Sequence, residues 1–309
     1  MPDTSSAAGG GVAAAWAPRH WTSRDGLKLY YRDYPGSSDR PPLLCLPGLT
    51  RNSRDFAAFA ERYAGPDRYR VIAVDYRGRG LSERDPQPER YVPLTYAADV
   101  LQLLDELKID RAVFVGTSLG GLVTMLIAGI QPQRIAATIL NDIGPELDPS
   151  GLARIGGYVG KPVRFASWDE AAETIATINR GLPASHSHAD WLRAARRVCI
   201  EDGDGIVFDY DNAIAVPFNR PSDAAAFDMW PLFRPLGNVP LLIVRGENSD
   251  LLSAKTAAAM LEAAPNARLV TVPGVGHAPE LDEPEALAAI DRLLFEEVLK
   301  YAKINSSAD

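Results

Sequence analysis

The sequence predicts an α/β fold in which a mainly parallel sheet carries helices on both faces. Short, wholly apolar segments recur along the chain, as is typical of strands that are covered on both sides. They alternate with longer segments in which apolar residues repeat every three or four positions, the spacing of a helix that buries one face. Regular alternation of strand and helix favours parallel strands joined by helical crossovers.

The first elements follow from local patterns. Residues 19–34 alternate polar and apolar side chains around Asp25-Gly26, a turn pair that predicts a tight hairpin of antiparallel strands. The elements predicted next are strands at 43–46, 70–75 and 111–117, and helices at 53–63 and 95–107. Ser53 and Thr95 are the residue types that cap helix N-termini, which places the helix starts.

The alternation continues past residue 118, is interrupted once and then resumes. The elements predicted from there are a helix ending near 130, a strand at 135–140, helical patterns at 168–180 and 189–200, a hairpin at 203–210, strands at 239–245 and 267–272, and helices at 254–264 and 284–303. No buried strand is indicated between residues 145 and 235. We therefore predict a flexible tail at 1–18, an α/β core at 19–144 and 236–309, and an inserted, mainly helical segment at 145–235.

Composition narrows the class of protein. A chain of 309 residues with 46% hydrophobic and 23% charged residues is typical of a globular α/β core with an insertion. The net charge of −8 argues against a nucleic-acid partner. The two cysteines, Cys45 and Cys199, lie in apolar or helical segments, which disfavours a disulfide framework. We find no leader sequence and no segment that would cross a membrane, so we expect a cytoplasmic protein without a membrane partner.

A candidate nucleophile lies where an apolar strand meets a helix. Gly116-Thr117-Ser118-Leu119-Gly120 fits the G-x-S-x-G pattern, in which small flanking residues let strand and helix approach while serine occupies a strained turn. The pattern is short and recurs by chance. It gains weight only if an acid, a base and oxyanion donors lie where a nucleophilic serine needs them.

Candidates for the acid and the base follow strands near the end of the chain. Asp250 lies a few residues beyond the predicted strand 239–245, and His277 follows the strand at 267–272. Parallel strands end at one edge of the sheet, where α/β folds bind ligands, so loops from separate strands bring such side chains together. Asp250 is therefore the predicted acid and His277 the predicted base, with Asp142 and Glu247 as alternative acids.

Taken together, these motifs resemble the α/β-hydrolase superfamily from about residue 21 to residue 299. The order Ser118, Asp250, His277 is that superfamily's order of nucleophile, acid and base. Residues 75–82, Asp-Tyr-Arg-Gly-Arg-Gly-Leu-Ser, are similar to its D-x-R-G-x-G-x-S loop, and residues 276–281 are similar to its histidine turn. The resemblance implies a hydrolase with a cap in the insertion and no organic cofactor or metal.

The resemblance also implies an oxyanion hole. Its donors would be the backbone N–H of Leu119, directly after the nucleophile, and that of Leu49 in the loop after residues 43–46. Many relatives have His-Gly in that loop, whereas this chain has Pro47-Gly48. The donor is a backbone group, so the missing histidine need not remove the hole, but it changes the loop.

The substrate is predicted only by class. Large apolar side chains of the core and insertion are expected either to line an apolar cleft or to form the core of the cap, and they are Met125, Phe165, Trp168, Trp191 and Trp230. We expect a serine hydrolase that cleaves an ester or lactone of a small, largely apolar compound through an acyl-enzyme. Because the base must be neutral, activity should fall below a pH of about 6 to 7.

Other activities on the same fold stay open. The same triad resembles that of C–C bond hydrolases acting on ring-cleavage products and of cofactor-free perhydrolases. The fold also serves as a non-catalytic ligand receptor in which a triad can persist. Serine at the turn disfavours the haloalkane dehalogenases and epoxide hydrolases of the superfamily, which have aspartate there.

Overall fold

The computed structural model describes residues 15–179, 186–218 and 228–298. The strands of this part of the chain are β1 (Ala17–Thr22), β2 (Lys28–Tyr34), β3 (Gly36–Ser37), β4 (Leu43–Leu46), β5 (Gly65–Tyr69), β6 (Val71–Asp75), β7 (Ala112–Thr117), β8 (Ile135–Asn141), β9 (Arg164–Phe165), β10 (Cys199–Asp202), β11 (Gly205–Phe208), β12 (Leu241–Gly246) and β13 (Ala267–Val272). The α-helices are α1 (Ala57–Tyr63), α2 (Pro93–Glu106), α3 (Leu119–Ile130), α4 (Pro149–Gly156), α5 (Trp168–Ile178), α6 (His188–Val198), α7 (Ala215–Phe218), α8 (Trp230–Phe233), α9 (Ala254–Ala263) and α10 (Pro284–Arg292).

The main sheet has eight strands in the order β1-β2-β6-β4-β7-β8-β12-β13. The hairpin β1–β2 is antiparallel and β2 pairs antiparallel with β6, whereas every pairing from β6 to β13 is parallel. The predicted α/β class with a mostly parallel sheet is therefore confirmed. Parallel strands end at one edge of the sheet, and that edge carries the site described below.

Helices cover both faces of this sheet, which explains why its central strands are mostly apolar. On β4, Leu44 and Leu46 pack on one face with α2 and α3, while Leu43 and Cys45 pack on the other with α1 and α10. All four side chains are inaccessible to solvent. Successive residues of a strand point to opposite faces, so burial on both faces requires an unbroken apolar run.

The chain between β8 and β12 combines helices with a small sheet. The strands β10, β11 and β9 form an antiparallel three-stranded sheet in that order. This sheet shares an apolar cluster with α5 and α6. The predicted hairpin is present but begins earlier, at Cys199. One further short strand, β9, is present where the sequence indicated no buried strand. It has only two residues, too few to produce a recognisable pattern.

Several predicted boundaries differ from the observed ones. The predicted tail 1–18 overlaps β1, which begins at Ala17, and residues 1–14 lie outside the described part. The helix predicted from Ser53 is a 3₁₀ turn, Ser53–Phe56, followed by α1. The last predicted helix ends as α10 at Arg292 and continues as a π-helical turn, Leu293–Glu297; residues 299–303 of that prediction lie outside the described residues.

The structure bears on the expectations about disulfides and membrane-spanning segments. Cys45 and Cys199 are both buried and free, so no disulfide joins them. Within residues 15–179, 186–218 and 228–298, no helix combines the length and apolar character required to cross a bilayer.

Candidate active site

Ser118 occupies a strained turn between β7 and α3. Its backbone has φ 51° and ψ −115°, a positive φ that non-glycine residues rarely adopt. The flanking glycines are required by close packing. A Cβ on Gly116 would lie 2.6 Å from the backbone of Gly120, and a Cβ on Gly120 would lie 2.1 Å from the carbonyl oxygen of Leu46. The turn therefore holds the serine side chain clear of the sheet edge.

Ser118, His277 and Asp142 form a continuous chain of hydrogen bonds. The distance from His277 Nε2 to Ser118 Oγ is 2.9 Å, and the distance from His277 Nδ1 to Asp142 Oδ2 is 2.7 Å. An ionised carboxylate can only accept, so Nδ1–H donates to Asp142 and Nε2 is free to accept from the serine hydroxyl. This is the tautomer that a general base for Ser118 requires.

Sheet register places the acid beside the nucleophile. Thr117 and Asn141 are paired residues at the ends of the neighbouring strands β7 and β8, so Ser118 and Asp142 leave the sheet at the same level. Asp142 is buried, and its carboxylate also accepts hydrogen bonds from the Gly246 N–H, at 2.8 Å, and the Ser249 hydroxyl, at 2.6 Å. These donors fix the orientation of the carboxylate that faces His277.

The prediction that Asp250 is the acid is wrong. Asp250 lies past β12, and its carboxylate forms a two-pronged ion pair with Arg154, at 2.5 Å to Nε and 2.8 Å to Nη2. Arg154 holds the pKa of Asp250 below its usual value. Glu247, the other alternative, accepts a hydrogen bond from the Gly274 N–H. The position beside His277 belongs to Asp142, which the sequence offered only as an alternative.

The two expected oxyanion donors belong to Leu119, which directly follows Ser118, and to Leu49, which lines the same cavity as Ser118. Leu119 is the first residue of α3, where backbone N–H groups have no acceptor within the helix. Leu49 lines the same cavity as Ser118, and its carbonyl accepts a hydrogen bond from Arg79 Nε at 2.9 Å. Gly48 brings this loop close to the nucleophile, since a Cβ there would lie 3.8 Å from Ser118 Cβ. The arrangement suits an oxyanion hole without the histidine common in relatives.

A cavity of about 140 Å³ opens onto Ser118 and His277. Both the core and the segment between β8 and β12 contribute walls. Its apolar lining includes Phe56, Ile155, Ile175, Ile178, Trp191 and Phe208. Its polar lining includes Arg51, Asp55, Arg154, Tyr158, Arg197 and Glu280. The cavity thus offers both apolar surface and several guanidinium groups.

Comparison with known proteins identifies the family of this chain. The model of the alpha/beta hydrolase family matches residues 43–290, most of the chain. The protein belongs to this family. A solved α/β hydrolase from Novosphingobium aromaticivorans is 50% identical, with a TM-score of 0.86, over 91% of this chain and 99% of that one.

Two relatives of this α/β hydrolase that align over most of the chain have names that state a hydrolase activity. The chain is 36% identical to a 3-hydroxybutyrate-oligomer hydrolase of Cupriavidus necator, over 84% of this chain and 90% of that protein. It is 29% identical to a 2-(acetamidomethylene)succinate hydrolase of Mesorhizobium japonicum, over 79% of this chain and 84% of that protein. A solved E-2-(acetamidomethylene)succinate hydrolase has a TM-score of 0.76 at 26% identity, over 91% of this chain and all of that one. Hydrolase activity is therefore supported.

Of the five residues expected to line the substrate cleft of this α/β hydrolase, Trp191 does so. The other four predictions are wrong, because these side chains are engaged elsewhere. Met125 is buried in the main core and Phe165 in the cluster under β9 to β11. The indole N–H of Trp168 donates to Glu201, and that of Trp230 donates to Glu146. Phe165 and Trp168 pack in the core of the inserted segment, as the alternative interpretation held, whereas Met125 and Trp230 pack in or against the main core.

The sequence did not indicate the polar wall of the cavity. For Arg51, the one available signal is its position two residues after Leu49, the expected oxyanion donor. Arg154, Tyr158 and Arg197 lie in the inserted segment, where an isolated arginine or tyrosine is usually a surface residue. Only the packing of that segment against the core brings them to the cavity.

Proposed function

We propose that this protein is a serine hydrolase that cleaves carboxylic esters through an acyl-enzyme on Ser118. The observation that carries the proposal is the hydrogen-bonded chain from Ser118 Oγ through His277 to the buried Asp142. A cavity opens directly onto this chain, so a bound acyl group has access to the serine. Nucleophile, base and orienting acid then have the roles known for such triads.

In the acylation step, Ser118 Oγ bonds to the carbonyl carbon of the ester while its proton passes to His277 Nε2. Asp142 stabilises the imidazolium that forms. The carbonyl electron pair becomes an oxyanion, which the N–H groups of Leu119 and Leu49 would stabilise. When the oxyanion collapses, the bond to the leaving alcohol breaks and that alcohol takes the proton from Nε2. An acyl-serine remains.

In the second step, water hydrolyses the acyl-serine. His277 Nε2 takes a proton from water as the water oxygen bonds to the acyl carbon. Collapse of the second oxyanion breaks the bond to Ser118 Oγ, which recovers its proton from Nε2. The net reaction is ester and water to carboxylic acid and alcohol.

Ester cleavage is favoured over the alternatives by the named activity of one relative, and a short substrate is favoured by the size of the cavity. The 36% identical relative hydrolyses oligomers of 3-hydroxybutyrate, whose units are joined by ester bonds. The cavity, at about 140 Å³, suits a short substrate unit rather than a long acyl chain. A lactone, the carbon–carbon bond of a ring-cleavage product and perhydrolysis are the competing reactions, and a non-catalytic receptor is the competing non-enzymatic function.

A fluorophosphonate probe with mass-spectrometric mapping tests the proposal. We expect the wild type to be labelled on Ser118, Ser118→Ala to be unlabelled, and Ser150→Ala, which changes an exposed serine, to be labelled as the wild type is. An unlabelled wild type would favour the receptor, and labelling that survives in Ser118→Ala would place the nucleophile elsewhere.

A substrate panel then identifies the reaction. The panel contains short aliphatic and aryl esters, matched lactones, vinylogous diketones, and an ester supplied together with hydrogen peroxide. We expect the fastest turnover for the open-chain esters in water. A lactone or a diketone turned over tenfold faster than every ester would contradict ester cleavage as the function.

A further inference from the structure

One end of the cavity concentrates arginines whose hydrogen-bonding capacity is only partly used. Arg51 and Arg154 each engage one aspartate through the same edge, Nε and Nη2: Arg51 with Asp55 and Arg154 with Asp250. A guanidinium has five N–H donors, and this two-pronged pairing leaves the Nη1 edge of Arg51 for another acceptor, whereas Arg154 also hydrogen-bonds with Tyr158. The side chains of both arginines are about a quarter to a third exposed, and both face the cavity.

Tyr158 completes this group and hydrogen-bonds with Arg154. Its electrostatic neighbours include Arg154 and Arg51, and its hydroxyl is within hydrogen-bonding range of Thr50. Burial raises the pKa of Tyr158, so the hydroxyl stays protonated and is able to donate. The three side chains therefore present donors from two elements, the loop after β4 and the region of α4.

The two arginines differ in what else they do. The Arg154–Asp250 pair joins α4 to the loop after β12, so it also attaches the inserted segment to the core. Arg51 and Asp55 are four residues apart on one stretch of the core, and their pair connects no separate elements. A structural role thus accounts for Arg154 but leaves the placement of Arg51 unexplained.

Arg51 is also close to the reacting serine. A Cβ on Gly48 would lie 3.3 Å from Arg51 Cγ and 3.8 Å from Ser118 Cβ, so both side chains flank the same glycine. Arg51 and its partner Asp55 both line the cavity that opens onto Ser118. An anionic group held by Arg51 would be separated from the scissile carbonyl by a few bonds.

We propose that Arg51, with Arg154 and Tyr158, forms a carboxylate subsite, and that the preferred substrates are short esters bearing a free carboxylate, such as dimers of a hydroxy acid. This inference rests on the proposed ester hydrolysis. Planar guanidinium donors match a carboxylate in geometry and charge. Asp55 and Asp250 balance the arginine charges when the cavity is empty, which avoids unpaired charge at the cavity wall.

A matched pair of substrates tests the subsite. The linear dimer of 3-hydroxybutyrate and its methyl ester have the same internal ester bond, but only the dimer acid has the carboxylate; cleavage of that bond is followed by chromatography. For the wild type we expect kcat/KM on the acid to exceed that on the methyl ester by about 10- to 100-fold, the worth of one charge-assisted hydrogen bond. Raising the ionic strength should reduce only the activity on the acid.

Variants assign the preference to Arg51. Arg51→Met should abolish the preference for the acid, mainly by raising KM for the acid. Arg62→Met breaks the ion pair with Asp291 on the outer surface and should leave the preference intact. Asp55→Asn distinguishes recognition from structure: it should preserve or increase the preference, because it removes a competing carboxylate and keeps Arg51.

Three outcomes overturn the inference. A wild type that is labelled at Ser118 yet treats the two substrates alike has no carboxylate subsite, and the proposed function then still stands. Equal loss of preference in Asp55→Asn and Arg51→Met would give Arg51 a purely structural role. An unchanged preference in Arg51→Met would mean that other residues recognise the carboxylate. Failure of the proposed function is detected separately, as absence of labelling at Ser118.

Discussion

At the scale of single residues, the environment of Asp142 determines how well His277 is held. Asp142 Oδ2 accepts from both His277 Nδ1 and the Ser249 hydroxyl, while Oδ1 accepts from the Gly246 N–H. Ser249 is itself fixed, since its hydroxyl oxygen accepts from the backbone N–H groups of Leu251 and Leu252. Ser249 is therefore a positioning residue that acts on the base through Asp142.

Ser249→Ala should lower kcat by about 3- to 30-fold with little change in KM. The substitution removes one donor from a buried carboxylate, and hydrogen bonds to charged groups contribute about 1.5–3 kcal/mol, part of which is expressed in the orientation of His277. Steady-state kinetics on a short ester provide the measurement. Ser249→Thr retains the hydroxyl and should recover most of the rate. If Ser249→Ala and the wild type have equal kcat, the hydroxyl has no positioning role.

Single residues also show what the sequence was able to predict. Ser118 and His277 belong to short motifs with a local cause, a strained turn and a loop after a strand, and both were identified. Asp142 and Asp250 both follow parallel strands and both fit the order acid before base, so local pattern does not separate them. The register of the sheet separates them, because Asn141, which precedes Asp142, pairs with Thr117, which precedes Ser118. Arg51 and Arg154 belong to no motif, and only tertiary packing places them at the cavity.

At the scale of elements, the contact between α3 and β4 holds the nucleophile in place. The start of α3 lies so close to β4 that Gly120 has room only for a hydrogen atom, because a Cβ there would lie 2.1 Å from the Leu46 carbonyl oxygen. A larger residue must separate the helix from the strand. Movement of this helix would shift both Ser118 and the N–H of Leu119.

Gly120→Ala should lower the free energy of unfolding by about 3 kcal/mol, the upper end of what overpacking costs, because the obstructing atoms belong to the backbone. The matched control is Gly203→Ala. Gly203 has φ +61°, and a Cβ there would have no neighbouring atom within 4 Å, so that change should cost only about 1 kcal/mol. Urea denaturation of both variants checks the difference. Equal destabilisation would mean that close packing does not determine the choice of Gly120.

Most elements were predictable for a physical reason that also explains the exceptions. The central strands are buried on both faces, and their apolar sequences have no other simple interpretation. β9 has two residues and pairs with β11 only because the segment between β8 and β12 folds back, so no periodicity indicates it. The last helix changes to π-helical geometry at Leu293, a change that the apolar pattern does not encode.

At the scale of the whole molecule, ion pairs attach the inserted segment to the core around the cavity. They join Arg154 to Asp250, Arg197 to Glu280, and Arg54 to Asp209. A second network ties the first hairpin to α2, because Arg77 contacts Asp25 in the hairpin turn, Asp85 in the following loop and Asp99 on α2. Charged contacts thus connect parts of the chain that are distant in sequence.

The second network predicts a loss of stability in acid. Arg77 holds the pKa of Asp25 well below its usual value. A carboxyl with a depressed pKa in the folded state contributes stability above its unfolded pKa, about 3.9, and loses it as the pH falls toward the lower folded value. The urea midpoint should therefore fall between pH 5 and pH 3, and the fall should be smaller in Asp25→Asn. An identical fall of the urea midpoint in the wild type and in Asp25→Asn would mean that Asp25 does not contribute to the loss of stability in acid.

The central claim, that Asp142 and not Asp250 orients His277 in a serine esterase, is tested most directly by comparing Asp142→Asn with Asp250→Asn. Both changes remove one negative charge from aspartates near His277 and keep the side-chain shape. With an uncharged short ester, Asp142→Asn should lower kcat by about 10³- to 10⁴-fold, because His277 loses its orienting carboxylate, while Asp250→Asn lowers it by less than about tenfold. The reverse order of the two losses would contradict the account.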